Sequence, residues 1–551
     1  MPTALVECVP NFSEGRDRAK IDQITRAIEA SGGVTLLNVE PGADTNRTVV
    51  TFVGGPEAVE QAAFAGIRMA AQVIDMAKHT GAHPRMGATD VCPFVPVSGV
   101  TMADCVAIAR RLGQRVGGEL GIPVYLYEQA ASRPERRSLS DVRRGEYEGL
   151  ARKLADPAWR PDFGPAAMNA GAGATVIGAR AFLIAYNVNL NSTDKGHATE
   201  LAFALREKGR VARRGNTAPF YSRGKKLSYR EGAFPCGSCD FTGATYDETS
   251  AHAAETHGYD LGALLRANDL TPPDVTGKPV YRPGLFTACK AIGWYVDDYR
   301  RAQISINLTD YTVTPPHAVL DAARTLAAER GLVVTGSEIV GVVPFEALLD
   351  SGRHYLRKQG RTVGQPVVDI LRTAVTSLGL TDVAPFDLDK KVLGLPAPAP
   401  NALVRRTVTD FTDEVSRDSP APGGGSVAAL AGALGAALAS MVANLTHGKE
   451  GTEDRDPELA RIAEEAQAVK EQLMVAVDAD SDAFSGFMDA LRLPQTTPDE
   501  KATRARKMQE GLKAAVQVPW ATAVASLSAM RLSRAVAAIG NPNSLSDGAV
   551  G

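Results

Sequence analysis

The run Leu393-Gly-Leu-Pro-Ala-Pro-Ala-Pro400 separates two parts of the chain with different hydrophobic periods, and that separation limits the folds open to it. Repeated proline keeps such a run extended and denies it helix or sheet pairing, so it reads as a linker. Before it, short apolar stretches read as strands at residues 3–10, 34–39, 48–53, 123–127, 181–190, 302–308, 311–314 and 333–335. Between them lie helical spacings at 21–30, 56–79, 102–120 and 317–330, and helical character persists to about 378. After the linker only helices are predicted, over 407–417, 426–446, 456–491 and 498–530, with a last short one. The expected fold class is α/β (α+β), two subdomains with mixed sheets, followed by an all-α bundle. Expected boundaries are 1–181 and 182–385 for the subdomains, 386–402 for the linker and 403–551 for the bundle.

Within the first part, Lys78-His79-Thr80-Gly81-Ala82-His83-Pro84-Arg85-Met86-Gly87 gathers two of the chain's eight histidines and runs on through Asp90 and Cys92 to Pro96. Gly81 weakens helix and Pro84 disfavours helical geometry at His83, which is thereby turned out of the helix end at His79. Three roles are open to the pair: an i, i+4 metal site, imidazoles bonded to backbone carbonyls, or general acid–base chemistry. The broken helix and the lack of a third ligand nearby weigh against metal. The loop Glu40-Pro-Gly-Ala-Asp-Thr-Asn-Arg47 would bring the carboxylates of Glu40 and Asp44 to the histidines if both loops share a sheet edge. Arg47 and Arg85 carry guanidinium forks that suit substrate carboxylates, although solvated arginines would look the same in sequence.

The charge balance, 60 lysines and arginines against 63 acidic residues for a net −3, excludes a global field that would favour a polyanion or a membrane. Six cysteines make no disulfide framework and the N-terminus has no basic region before an apolar run, so a cytoplasmic protein is expected. Val427–Leu445 is uncharged over nineteen residues, but its Ala, Gly and Ser content suits a tightly packed bundle helix better than lipid.

An insertion at about 206–288 interrupts the second subdomain. Its first part, 206–231, holds nine basic side chains against two acidic ones and reads as exposed and mobile. Behind it, Cys236, Cys239, His252 and His257 follow the Cys-x2-Cys-x12-His-x4-His spacing of a zinc knuckle. Four protein ligands make such zinc structural. The knuckle is acidic, carrying Asp240, Asp247, Glu248, Glu255, Asp260 and Asp269 against Arg266, so nucleic acid is not the expected partner. The basic run is the better anion binder.

The runs Val6-Glu-Cys-Val-Pro-Asn-Phe-Ser-Glu-Gly15, Asp44-Thr-Asn-Arg-Thr48, His79-x-Gly-x-His-Pro-Arg-Met-Gly-Ala88, Asp90-Val-Cys-Pro-Phe94 and Pro123-Val-Tyr-Leu-Tyr127 resemble the glutamate formimidoyltransferase family. Ala421-Pro-Gly-Gly-Gly-Ser-Val-Ala428 and Val477-Asp-Ala-Asp480 resemble the formimidoyltetrahydrofolate cyclodeaminase often fused to it. The resemblance implies transfer of a formimino group from N-formimino-L-glutamate to N5 of tetrahydrofolate, the latter expected in polyglutamylated form. Ring closure to 5,10-methenyltetrahydrofolate with loss of ammonia would follow. It places His83 at the catalytic position and Glu40 where the family has an aspartate. Gly164–Gly173, with Gly164, Gly171 and Gly173, falls in the folate-binding segment, and Asp480 at the cyclodeaminase position. A homo-oligomer and no membrane partner are expected. The family's bundle continues past Asn543-Ser-Leu-Ser-Asp547 whereas this chain stops at Gly551, so an incomplete deaminase is expected. Two alternatives stay open: an enzyme that only transfers, and a zinc-dependent nucleic-acid-binding protein on a retired scaffold.

Overall fold

The computed structural model describes residues 4–43, 45–81, 83–215, 223–396, 398–399 and 401–551. Asp44, a candidate carboxylate, therefore lies outside the described residues. Two compact units are present: Met1–Leu348 with Leu378–Leu395, and Leu349–Ser377 with Pro396–Gly551. Residues 349–377 thus group with the helical unit and not with the preceding α/β subdomain.

The first unit opens with β1 (Leu5–Cys8), β2 (Asn11–Phe12), α1 (Arg18–Glu29), β3 (Val34–Gly42), β4 (Arg47–Gly54) and α2 (Pro56–Val73). β5 (Thr89–Ser98), α3 (Met102–Glu119), β6 (Val124–Glu128), short helices α4 (Leu139–Arg143) and α5 (Leu150–Ala155), and β7 (Thr175–Ala179) complete its first half. The sheet runs β3, β4, then β1 and β2 side by side with β5, then β7 and β6. It is mixed: β5, β7 and β6 are parallel and the remaining pairs antiparallel. Val6, Cys8, Phe52 and Phe94 on the sheet pack with Ile24, Ile28, Ile67 and Leu112 of the helices to form the main core.

Three elements of this first half differ from the sequence reading. The helix from Pro56 stops at Val73 instead of reaching His79: Ile74 is extended and the Met76 amide bonds the Gly171 carbonyl, pulling the chain off the helix axis. Residues 89–98, read as a loop, form the central strand β5; Pro93 and Pro96 had broken its alternation. β7 was likewise hidden behind the Gly- and Ala-rich stretch before it.

The second half holds β8 (Ile184–Leu190) and α6 (Lys195–Leu205), then the insertion: β9 (Arg210–Val211), β10 (Arg213–Arg214), β11 (Lys225–Lys226), β12 (Phe234–Pro235), β13 (Thr242–Gly243), α7 (Tyr246–His257), α8 (Leu261–Ala267) and β14 (Tyr281–Arg282). β15 (Cys289–Val296), β16 (Arg301–Leu308), α9 (Pro316–Ala328) and β17 (Val334–Val340) follow. β15, β16, β8 and β17 make an antiparallel sheet in that order. Its strands alternate: Tyr186, Val188, Ile304 and Ile306 are buried apolar residues, whereas Asn187, Asn189 and Gln303 between them are buried and polar. Residues 311–314, expected as a strand, are a turn in which Asp310 accepts from Thr312 and Thr314. The described part of the basic run is not loose, since β10 pairs with β11 and β9 with β14.

The helical unit takes most of α10 (Phe345–Lys358) and α11 (Val367–Leu378). After α12 (Leu388–Lys391), which belongs to the first unit, it continues with α13 (Val408–Val415), α14 (Gly424–Thr446), α15 (Asp456–Leu491), α16 (Pro498–Ile539) and α17 (Leu545–Val550). Ala439, Ala443, Ile462, Ala463 and Val536 form its core, small residues letting the helices approach closely. α14 is long and apolar enough to cross a membrane, yet half of its most apolar window is buried in this unit.

Gly173 has φ +68°, and a Cβ there would lie 2.3 Å from the Met86 carbonyl oxygen. Gly173→Ala should therefore destabilise the first unit by about 1–3 kcal/mol, read as a lowered melting temperature.

Candidate active site

The motif runs converge on the histidine loop. Asn46, at φ 46°, accepts from the Gly15 amide at 2.9 Å and donates to the Thr80 carbonyl at 2.9 Å. Ser13 donates through its hydroxyl to the Gly87 carbonyl at 2.7 Å and through its amide to that of Ala88 at 2.9 Å. The Ala88 amide donates to Ala172 at 2.8 Å, and the Ala174 amide to Met86 at 3.1 Å. The loop is thus fixed by backbone bonds from three separate stretches.

His79 is held at both ring nitrogens: Nδ1 accepts from Arg85 Nε at 3.2 Å, so Nε2 carries the proton and donates to the Asn46 carbonyl at 3.0 Å. Arg85 itself is 7% exposed and pairs with Glu148 at 2.6 Å and Glu146 at 3.1 Å. Arg85, expected as a carboxylate-binding residue, already has two carboxylates on its guanidinium and holds the 146–148 turn against the loop. A pocket of ≈ 470 Å³ lies here, lined by His79, Thr80, Gly81, Arg85, Gly145, Glu146 and Glu148.

His83 differs from its neighbour. Its Nδ1 donates to the Pro84 carbonyl at 2.7 Å, which leaves the Nε2 lone pair facing Nη1 of Arg47. Burial, then the charges of Arg47 and Arg143, push its pKa down to about 4. Asp90, fully buried, accepts from the Met86 amide at 3.0 Å, binds the Arg143 guanidinium and lies 3.9 Å from Arg47 Nη2. One carboxylate therefore faces two guanidiniums. Arg47 is the less well paired: its buried Nε has no partner among the described residues, and burial pulls its pKa down to about 10. Glu7 lies buried in β1, where desolvation lifts its carboxyl to about 7 against the pull of Arg180.

Glu40 is not brought to His83. Its carboxylate accepts from the Gly341 amide at 2.8 Å and from Asn38 at 3.2 Å, so it ties β3 to the second half of the unit. Gly164 is also structural: at φ +81° a Cβ would lie 2.4 Å from the Ile122 carbonyl oxygen, and the residue packs on Gly117 of α3. Gly171 accepts from the Met76 amide at 2.9 Å, just ahead of the loop, and Gly173 touches the loop through its bridge to Gly87. Sequence reasoning missed Arg143, which reaches Asp90 from 53 residues away, a separation that leaves no local signal.

In the helical unit, Asp480 accepts from the Ser426 amide at 3.1 Å, in the first turn of α14. A Cβ at Gly425 would lie 2.1 Å from Asp480 Oδ1, so the glycine is what admits the carboxylate. Asp478 instead accepts from the Leu403 amide at 2.6 Å. In the insertion, ligand atoms of Cys236, Cys239, His252 and His257 all lie within 4.8 Å of one another.

A neutral imidazole beside an incompletely paired guanidinium in one unit, and a carboxylate at a helix N-terminus in the other, are groups of the kind an enzyme uses for proton transfer and charge stabilisation. The sequence matches the formiminotransferase domain, N-terminal subdomain, over residues 5–180, the formiminotransferase domain over 185–395 and the formiminotransferase-cyclodeaminase model over 407–551. It is 41% identical over 546 residues to the formimidoyltransferase-cyclodeaminase of Mus musculus, covering 98% of this chain and 88% of that one. The glutamate formimidoyltransferase of Thermoplasma acidophilum is 39% identical over 359 residues, 65% of this chain and 94% of that one. The methenyltetrahydrofolate cyclohydrolase of Methylorubrum extorquens is 40% identical over 144 residues, 26% of this chain and 69% of its own. The chain belongs to the formimidoyltransferase-cyclodeaminase family.

Because folding lowers the His83 pKa, an unfolded chain takes up a proton below about pH 6.5 that the folded one refuses until about 4. Stability contributed by this group is therefore lost as pH falls through that window. An NMR titration should show His83 neutral at pH 5.5, and Arg47→Gln should move its midpoint upward by removing an adjacent positive charge.

Proposed function

We propose that the first unit transfers the formimino group of N-formimino-L-glutamate to N5 of tetrahydrofolate, and that the helical unit closes the product to 5,10-methenyltetrahydrofolate with release of ammonia. The observation that carries the first step is the His83 imidazole, its Nδ1 proton tied to Pro84 and its Nε2 lone pair available once Arg47 turns to a substrate carboxylate. N5 attacks the amidine carbon, and His83 takes the proton that N5 loses. The same proton passes to the glutamate nitrogen as its bond to that carbon breaks, leaving glutamate and the N5-formimino product. Arg47, whose Nε has no partner among the described residues, is the guanidinium with room for the anion.

In the second reaction N10 attacks the formimino carbon, its proton moves to the former imino nitrogen, and one further proton allows that nitrogen to leave as ammonia. The product is a cation. Asp480, held at the start of α14, supplies the negative charge beside which that cation forms. Zinc enters this proposal as a structural metal of the insertion, since four protein ligands leave no position for a substrate.

His83→Ala should lower kcat for formimino transfer by about 10²–10⁴-fold while ring closure of supplied 5-formiminotetrahydrofolate continues. Asp480→Ala should show the reverse, with transfer intact and the near-ultraviolet absorbance of the methenyl product lost. Equal loss of both activities in either variant would count against two separate sites.

A further inference from the structure

We propose that Cys236, Cys239, His252 and His257 bind one zinc ion through two thiolates and two imidazole Nε2 atoms, and that this ion is the staple on which the fold of residues 223–282 depends. The proposal rests on the structural-zinc reading and adds the ligand atoms and what the ion does.

The donors are oriented for one centre. Cys239 Sγ and His252 Nε2 are 3.1 Å apart, and all four ligand atoms lie within 4.8 Å of one another. A tetrahedron with Zn–S of about 2.3 Å and Zn–N of about 2.0 Å puts neighbouring donors about 3.3–3.8 Å apart, so the cluster closes by shifts of about an ångström. The tautomers agree. His252 Nδ1 faces the Thr256 hydroxyl at 3.2 Å, which leaves Nε2 for the metal. Nε2 of His257 is buried with no hydrogen-bond partner among the described residues, a costly arrangement that a metal bond would relieve.

The surroundings hold the ligands in place. Phe241 stacks on the His252 ring at 4.0 Å and 14°. The Ser238 amide donates to Cys236 Sγ at 3.4 Å and fixes its position in the turn. In the Cys236–Cys239 turn, a Cβ on Gly237 would lie 2.1 Å from the Tyr281 carbonyl oxygen, so the turn is pressed onto β14. α7 ends at Gly258, left-handed at φ 70°, and the chain then doubles back so that Tyr259 lies over His257. Two thiolates with two imidazoles select zinc among common divalent ions, and the complete ligand set excludes a Lewis-acid role.

The module has little else to fold around. Its strands are two residues each, and its one hydrophobic cluster among the described residues has eight buried residues, with Tyr229 the single aromatic among them. Cores of that size need a metal or a disulfide. The stem is anchored independently of the ion: β9 pairs with β14, and Arg210 meets Glu200 of α6 at 2.9 Å. Losing the metal should therefore fray the module and leave transfer running.

The test uses the full chain, purified without added metal. Elemental analysis should find one zinc per chain, and replacement by cobalt(II) should give the visible bands of a tetrahedral site with a thiolate charge-transfer band. Stripping zinc with a chelator, or Cys239→Ser and His257→Ala, should open residues 223–282 to limited proteolysis while transfer stays within about threefold. Absence of zinc together with a six-coordinate cobalt spectrum would overturn the metal site. Zinc that binds and can be stripped from the wild-type chain without any change in proteolysis would overturn the staple while leaving the site standing.

Discussion

A carboxylate removed from water has to be matched by cations and amide donors, and at Asp90 that requirement organises the first site. Its two oxygens take the Met86 amide and the Arg143 guanidinium, with Arg47 3.9 Å away. Each partner belongs to a different element: Met86 ends the histidine loop, Arg143 ends α4 and Arg47 begins β4. Asp90 thus ties three segments that no backbone ladder joins to one another directly. Without it, two buried guanidiniums would face each other unshielded, and the position of Arg47 over His83 would have nothing behind it.

The same charge count separates the two arginines that look alike in sequence. Arg85 meets Glu146, Glu148 and a histidine lone pair, so its charge is answered inside the protein. Arg47 shares one carboxylate with Arg143 and rests against a neutral ring, so among the described residues one positive charge in the cluster is left over. A site built this way favours an anion. It also keeps His83 unprotonated, because a proton there would be a third positive charge beside a single negative one. In the proposed transfer, base and anion site are therefore one arrangement, and a carboxylate that draws Arg47 away would uncover the lone pair it was facing.

What could be read in the sequence were long periods and unusual residues. Helix α15 spans Asp456–Leu491, the very residues its spacing marks, because ten turns of consistent pattern outweigh any local exception. The histidine loop stood out because two imidazoles and Pro84 sit together. β5 did not, since prolines interrupt its alternation and its residues are buried on both faces. The loop that begins at Glu40 does meet the histidines, through Asn46 and Arg47, but the Glu40 carboxylate itself is turned to Gly341 and Asn38. Register runs Glu40, Val49, Asn11, Val91 across β3, β4, β2 and β5. Three strand spacings, roughly 14 Å, separate that carboxylate from the strand that carries Asp90. The ribbons of the insertion were illegible because two residues cannot show a period.

The helical unit answers the same need by different means. Asp480 has no arginine beside it among the described residues; its oxygen faces the Ser426 amide at the start of a 23-residue helix, where aligned peptide dipoles favour negative charge. Gly425 is the sequence cost of that arrangement, because a side chain there would occupy the carboxylate's place. The contrast matches the chemistry proposed for each unit. Transfer begins on an anionic substrate and is served by surplus positive charge around a neutral base. Ring closure ends on a cationic product and is served by a single carboxylate with no counter-cation to compete for it.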